Sequence, residues 1–250
     1  MDRIAIVSAV RDFAFYRKCV EENPMLDGCE KTVFDNRTEN MPLPARYNEF
    51  LDSFDYSRPA WIVFCHEDWE ATEPVAPVLS RLDPGSVYGV AGATVERRAF
   101  FFARWKFIGD IESCNRDGSD PGVHGLPAPP GTACDTVDCV CLVVHSSLVQ
   151  RHSLRFDPEM TFDLYAEDFC IAARELHGVA TRLVRLSCRH WSRGCAGKRY
   201  RALRKKLQKK WRNAKGCSST VSPYLCGRAQ WWWRLWAALR PVANFVRGKR

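Results

Sequence analysis

No apolar run in the 250-residue sequence approaches the roughly 20 residues that cross a bilayer. No C-x-x-C pair occurs, although there are 12 cysteines. No acidic residue follows Glu175, and no glycine-rich loop follows the first apolar run, IAIVSAV. The opening residues, MDRIAIVSAV, lack the basic start and small-residue cleavage site of a secretory leader. Each absence excludes something. The first and last set aside a membrane-spanning or exported protein and lead to the expectation of a cytoplasmic one. The missing C-x-x-C pairs set aside the common zinc frameworks, and Cys188, His190 and Cys195 match no familiar zinc spacing. Most cysteines lie in apolar runs, as in DCVCLVV and AEDFCIAA, so they read as small buried hydrophobes with free thiols.

The missing acids divide the chain by charge. From Leu176 to the end there are 20 Lys and Arg and no Asp or Glu. The first 175 residues hold 17 basic side chains against 29 acidic ones. Such segregation calls for an anionic partner for the tail: membrane lipid, nucleic acid or the acidic body itself.

What is present reads as an α/β domain. RIAIVSAV (3–10), KTVFD (31–35), AWIVFC (60–65) and SVYGVAGA (86–93) are strand-like. Helices are expected over 10–22, 44–54 and 72–82, which predicts a mainly parallel, doubly wound sheet. Residues 107–136 are rich in Gly, Pro and Asp and read as a long loop. TVDCVCLVVHSS (136–147) and VATRLVRLSCRHWS are each read as one further strand. A helix starts near Ala166, carries Glu167 and Asp168 in its first turn, and stops at Gly178.

Ligands of such sheets bind beyond the carboxyl ends of the strands. Ser8 stands at the first of these ends, Asp35 and Asn36 at the second, and His66, Glu67 and Asp68 at the third. Any one is a plausible solvated turn; together they outline a crevice for a nucleotide or a cation.

The order of the motifs IAIVSAV, VFDNR, ARYNEFLDSF, AWIVFCHED, DTVDCVCLVV, FDLYAEDFC and RHWSRG resembles a family 2 inverting glycosyltransferase of the GT-A fold. It is most similar to the streptomycin-biosynthesis-type branch, over residues 3–195. The resemblance implies transfer of a sugar from a nucleotide-diphosphate donor to a hydroxyl of a glycan or lipid-linked acceptor, with Mn²⁺ or Mg²⁺. It implies that Ser8, Asp35 and Asn36 meet the nucleoside and that Asn48 lies near the donor. His66 and Glu67 take the first two places of the D-x-D motif on the donor side. Asp68 takes the last and binds metal, with His190. Asp168 is the implied general base and Glu167 its neighbour; Asp138 recurs without an assigned role. With His66 in place of an acid, the donor set shifts towards Mn²⁺, since imidazole is the softer ligand. A sugar-phosphate nucleotidyltransferase would need the glycine-rich loop that SAVRDFAFY lacks. A non-catalytic nucleotide-sugar or membrane-binding module is the alternative from another class.

The resemblance ends near residue 195, and residues 196–250 read as a basic helical extension. Tyr200, Leu203, Leu207 and Trp211 recur at helical spacing among Lys and Arg, and four tryptophans fall within residues 231–236. Aromatic and basic faces together suit an anionic membrane surface, which would make the protein peripheral on the inner membrane face. The other two readings are a cap on the acidic body and a nucleic-acid partner.

Overall fold

The computed structural model describes residues 2–97, 103–192 and 197–227. Strand β1 (Arg3–Val10) lies inside a sheet covered on both faces. Ala5, Val7 and Ala9 enter one hydrophobic core, and Ile4, Ile6 and Val10 the other. That two-sided burial is why the strand reads as an almost unbroken apolar run. The Asp12 carboxylate accepts from the Ala14 and Phe15 N–H groups and starts α1 (Phe13–Tyr16). The helix expected over 10–22 is therefore short and passes into a π turn, Arg17–Glu21.

β2 (Glu30–Asp35) runs parallel to β1. α2 (Leu43–Ser53) has Pro44 in its first turn and buries Tyr47, Phe50 and Leu51. β3 (Ala60–Cys65), wholly buried, is parallel to β1 on its other side. A turn through His66–Asp68 leads into β4 (Trp69–Ala71), and α3 (Val75–Leu79) fills only the middle of the helix expected over 72–82. The strand expected at 86–93 breaks into β5 (Ser86–Gly89) and β6 (Gly92–Arg97) as the chain leaves one sheet for another. Gly89 permits the close approach at the break: a Cβ there would lie 2.4 Å from the Val137 Cβ.

The long loop expected at 107–136 is partly strand. It holds the end of β7 (Ala103–Ile108), then β8 (Ile111–Ser113), β9 (Gly122–His124) and the first residue of β10 (Thr136–Val137). β11 (Cys141–His145) returns to the main sheet and α4 (Ser146–His152) follows. α5 (Tyr165–His177) ends on Gly178 at φ +68. The last expected strand is two, β12 (Ala180–Leu183) and β13 (Cys188–His190), and α6 (Lys198–Lys210) follows.

The main sheet has the order β12-β5-β11-β3-β1-β2. β11 is antiparallel to both its neighbours, so the sheet is mixed where a mainly parallel one was expected. A strand buried on both faces is apolar whichever way it runs, so composition does not carry its direction. Two smaller sheets, β10-β6-β7 and β4-β13-β8-β9, complete the α/β fold.

The described part of the basic tail packs on the body. Tyr200, Leu203 and Leu207 of α6 join the same core as Tyr165 and Phe169 of α5. Arg199, Lys206 and Lys210 pair with Asp163, Glu159 and Asp157. The apolar face of α6, expected to meet a membrane, is thus spent inward, and the cap is the arrangement seen. The tryptophans at 231–236 lie outside the described residues. Among the described residues no helix is long and apolar enough to cross a membrane.

Candidate metal centre and the buried acid pair

His66 and Asp68 leave the carboxyl end of β3, where the His66 N–H is fixed on the Val140 carbonyl at 3.1 Å. The antiparallel pairing of β4 with β13 sets His190 opposite Trp69, and the Trp191 N–H holds the Asp68 carbonyl at 3.0 Å. Two distant parts of the chain thereby bring three donors together. One ligand atom each of His66, Asp68 and His190 lies within 4.8 Å of the others. Ligands bound at about 2.1 Å stand at most about 4.2 Å apart across an ion, so a small contraction suffices.

The protonation states suit a cation. The Tyr165 hydroxyl donates to the Cys139 carbonyl at 2.8 Å, so its one proton is spent. At its 3.1 Å contact with His66 Nε2 the ring nitrogen must donate, which leaves the Nδ1 lone pair free. Burial pushes the His66 pKa down and keeps the ring neutral. Burial alone would raise the Asp68 pKa, but its interaction with His190 outweighs that and holds it well below the carboxylate range. His190 Nε2 stands 3.4 Å from Asp68 Oδ1 and 2.9 Å from Ser192 Oγ. Two imidazoles and one carboxylate suit Mn²⁺ better than Mg²⁺, which prefers oxygen.

Glu67 faces the other way. Its Oε2 accepts from the N–H groups of Arg11 and Asp12 at 2.6 and 3.0 Å, and its Oε1 from Arg116 at 3.2 Å. It ties the loop after β1 to the turn that carries its neighbours His66 and Asp68. Arg116, in the turn after β8, also reaches Asp12 at 2.5 Å and Asp68 Oδ2 at 3.8 Å. Its guanidinium lies over the Phe15 ring. No feature of the sequence singled out Arg116.

The two further expected acids lie at the start of α5. Leu164, at φ +66, precedes the helix in the left-handed region, at a cost of about 1–2 kcal/mol for a residue with a Cβ. Tyr165, in contact with His66, and Asp168 follow one helical turn apart. Glu167 and Asp168 are both buried. Burial, with Asp138 adding to it, raises the Glu167 pKa to about 8, and Cys139 Sγ is its 3.5 Å donor. Asp168 accepts from Lys210 Nζ at 2.9 Å and from Trp211 Nε1 at 2.7 Å. Burial raises its pKa against the opposing pull of Lys210. Both partners come from the tail and are absent from the sequence reading of the site. Beside them opens a cleft of about 740 Å³ lined by Asp157, Glu159, Lys206, Lys209, Lys210 and Arg212.

The remaining expected residues spend their side chains locally. Ser8 is fully buried two residues inside β1, its Oγ 3.2 Å from Cys65 Sγ. Asp35 pairs with Arg37 at 2.5 Å, and that hydrogen bonding lowers its pKa to about 2. The Asn36 side chain bridges the Met41 N–H and carbonyl at 2.9 and 2.8 Å. The Asn48 side chain does the same for Phe156 at 2.9 and 2.8 Å.

No family model matches the chain, and no curated protein matches it. Its fold is similar to that in the crystal structure of GalNAc-T7 with UDP, GalNAc and Mn²⁺, at a TM-score of 0.48 and 8% identity. The similarity covers 84% of this chain and 48% of that one, so this chain spans about half the length of the larger protein.

Proposed function

We propose that the chain is an inverting glycosyltransferase that uses a nucleotide-diphosphate sugar. In this reading residues 1–195 form the GT-A-type donor and metal frame, and residues 196–250 are a basic extension whose described part, 197–227, packs on it. The observation that carries the proposal is the His66–Asp68–His190 group beyond the carboxyl end of β3, where open α/β sheets bind ligands. The ordered motifs through residue 195 support it.

A divalent ion, Mn²⁺ in preference to Mg²⁺, would offset the charge of the departing nucleoside diphosphate. The chain's own groups do the rest. Asp68 stays ionised, and Tyr165 holds His66 in the tautomer that presents Nδ1. Glu67 fixes the loop after β1 against the metal-bearing turn. Asp168 takes the proton of the acceptor hydroxyl as that oxygen attacks the anomeric carbon, and its raised pKa makes it a stronger base than a free carboxylate. For that, Lys210 must release one carboxylate oxygen. The lysine-lined cleft beside it gives the acceptor, a glycan or lipid-linked hydroxyl, its way in. Residues 228–250, rich in Trp and Arg, would hold the enzyme at an anionic membrane surface, on the inner face, during polysaccharide assembly.

One observation favours a second reading, a nucleotide-sugar-binding module without turnover: both Asp168 oxygens are already covered. Transfer and donor hydrolysis, measured across a panel of nucleotide sugars with Mn²⁺, separate the two. An enzyme loses turnover in Asp168→Asn while keeping donor binding. A wild-type protein that binds a donor and never consumes it is the module.

A further inference from the structure

Two cysteines that the proposed chemistry does not use face each other near the end of the described tail. Cys217 and Cys226 pair across an isolated antiparallel bridge. The Cys217 N–H donates to the Cys226 carbonyl at 3.1 Å, and the Leu225 N–H to the Cys217 carbonyl at 2.8 Å. Their Sγ atoms are 3.4 Å apart, and both residues are buried. A disulfide needs Cα atoms about 4.4–6.8 Å apart and sulfurs at about 2.05 Å. Directly opposed antiparallel residues meet the first condition at about 4.5–5.5 Å. Small χ rotations meet the second. Cys65 is also opposite a cysteine, Cys141, but turns its sulfur to Ser8 Oγ instead.

The turn between the two cysteines fastens the tail to the body. The Ser218 N–H and hydroxyl both donate to Asp135 Oδ2, at 3.0 and 2.7 Å. The Thr220 hydroxyl donates to Asp138 Oδ2 at 2.6 Å. In return the Ser218 carbonyl accepts from Thr136 at 2.7 Å, and the Ser219 carbonyl from Trp105 Nε1 at 3.0 Å. Just upstream, Lys210 and Trp211 lie on Asp168.

We propose that Cys217 and Cys226 are a redox-closable pair whose disulfide clips the tail segment onto the body. The pair stands independently of the transferase reading. The oxidant is a small disulfide such as oxidised glutathione. One cysteine thiolate attacks it, forming a mixed disulfide and releasing one glutathione thiolate. The second cysteine thiolate displaces the other glutathione, so two protein thiols become one disulfide and two glutathiones are reduced. The contact with Cys217 and burial keep Cys226 a thiol, so exchange proceeds through local opening of the turn.

The test incubates the full chain with oxidised glutathione, alkylates the remaining thiols under denaturing conditions and maps the peptides. Two fewer alkylated cysteines and a Cys217–Cys226 cross-link are expected. Amide exchange across 217–226 should slow on the order of 100-fold, the loop-closure effect for so short a loop. Cys226→Ser should leave glutathione trapped on Cys217. The double variant Cys217→Ala and Cys226→Ala should show one exchange rate with and without oxidant, which keeps the test open if the serine variant does not fold. Twelve alkylatable cysteines after oxidation, a cross-link between other cysteines, or unchanged exchange in the cross-linked protein would each overturn the proposal.

Discussion

Replacing Glu167 with glutamine should remove a loss of stability that the wild type suffers as pH rises from 4.5 to 8. The carboxyl is 3% exposed, and burial, reinforced by Asp138, raises its pKa from 4.5 to about 8. Below the unfolded pKa the group is protonated in both states and contributes no pH dependence. Above it the unfolded chain releases the proton while the folded chain keeps it. Fewer protons are then bound in the unfolded state, so stability falls by about 1.4 kcal/mol per pH unit until the folded pKa is reached. Over the interval the wild type gives up on the order of 5 kcal/mol that Glu167→Gln retains. Glutamine keeps the volume and an acceptor for Cys139. Urea unfolding of both proteins from pH 4.5 to 9 reads the difference directly. The gap should open with rising pH and level off above pH 8. Parallel curves would refute the reasoning, because they would mean that Glu167 ionises in the folded chain like an exposed carboxyl.

Leu207 is fully buried on the inner face of α6, so Leu207→Ala should cost about 2–5 kcal/mol in denaturant unfolding; a change under about 0.5 kcal/mol would mean that α6 is not packed on the body. Asn48→Ala should cost about 1–3 kcal/mol by stranding the Phe156 N–H and carbonyl, with nucleotide affinity unchanged; a selective loss of nucleotide affinity would return Asn48 to the donor site. Arg116 competes with a cation for Asp68, so Arg116→Gln should tighten Mn²⁺ binding several-fold in calorimetric titration. Weaker Mn²⁺ binding would instead make Arg116 a support of the site.

Much of the frame was legible because apolar runs and caps have local causes. β1 and β3 are almost unbroken apolar stretches, and α5 stops at a glycine that adopts the left-handed conformation. His66 and Asp68 were readable as a candidate site from their place at the end of a buried strand, whereas Glu67 of the same triplet turns to the loop after β1. His190 came from the resemblance, because β4 and β13, which join it to Asp68, are three residues each and have no periodicity to read. Ser8, Asn36 and Asn48 show the opposite failure. A polar residue at a strand end or in a helix looks the same in sequence whether it awaits a ligand or satisfies a backbone group, as the asparagines do here. The α6 stripe has one composition for a membrane and for a protein core, and only packing distinguishes them. Lys210, Trp211 and Arg116 act through tertiary contacts far along the chain, for which no local pattern exists.

The central claim is that His66, Asp68 and His190 hold a cation for a nucleotide-diphosphate donor. Thermal unfolding against a panel of nucleoside diphosphates, each with and without Mn²⁺, in wild type and Asp68→Ala, tests it most directly. A nucleotide at about 100 times its Kd should stabilise the wild type by about 2.7 kcal/mol, only with Mn²⁺, and Asp68→Ala should show no shift. A shift that is equal without Mn²⁺ and persists in Asp68→Ala, or no shift with any nucleoside diphosphate, would contradict it.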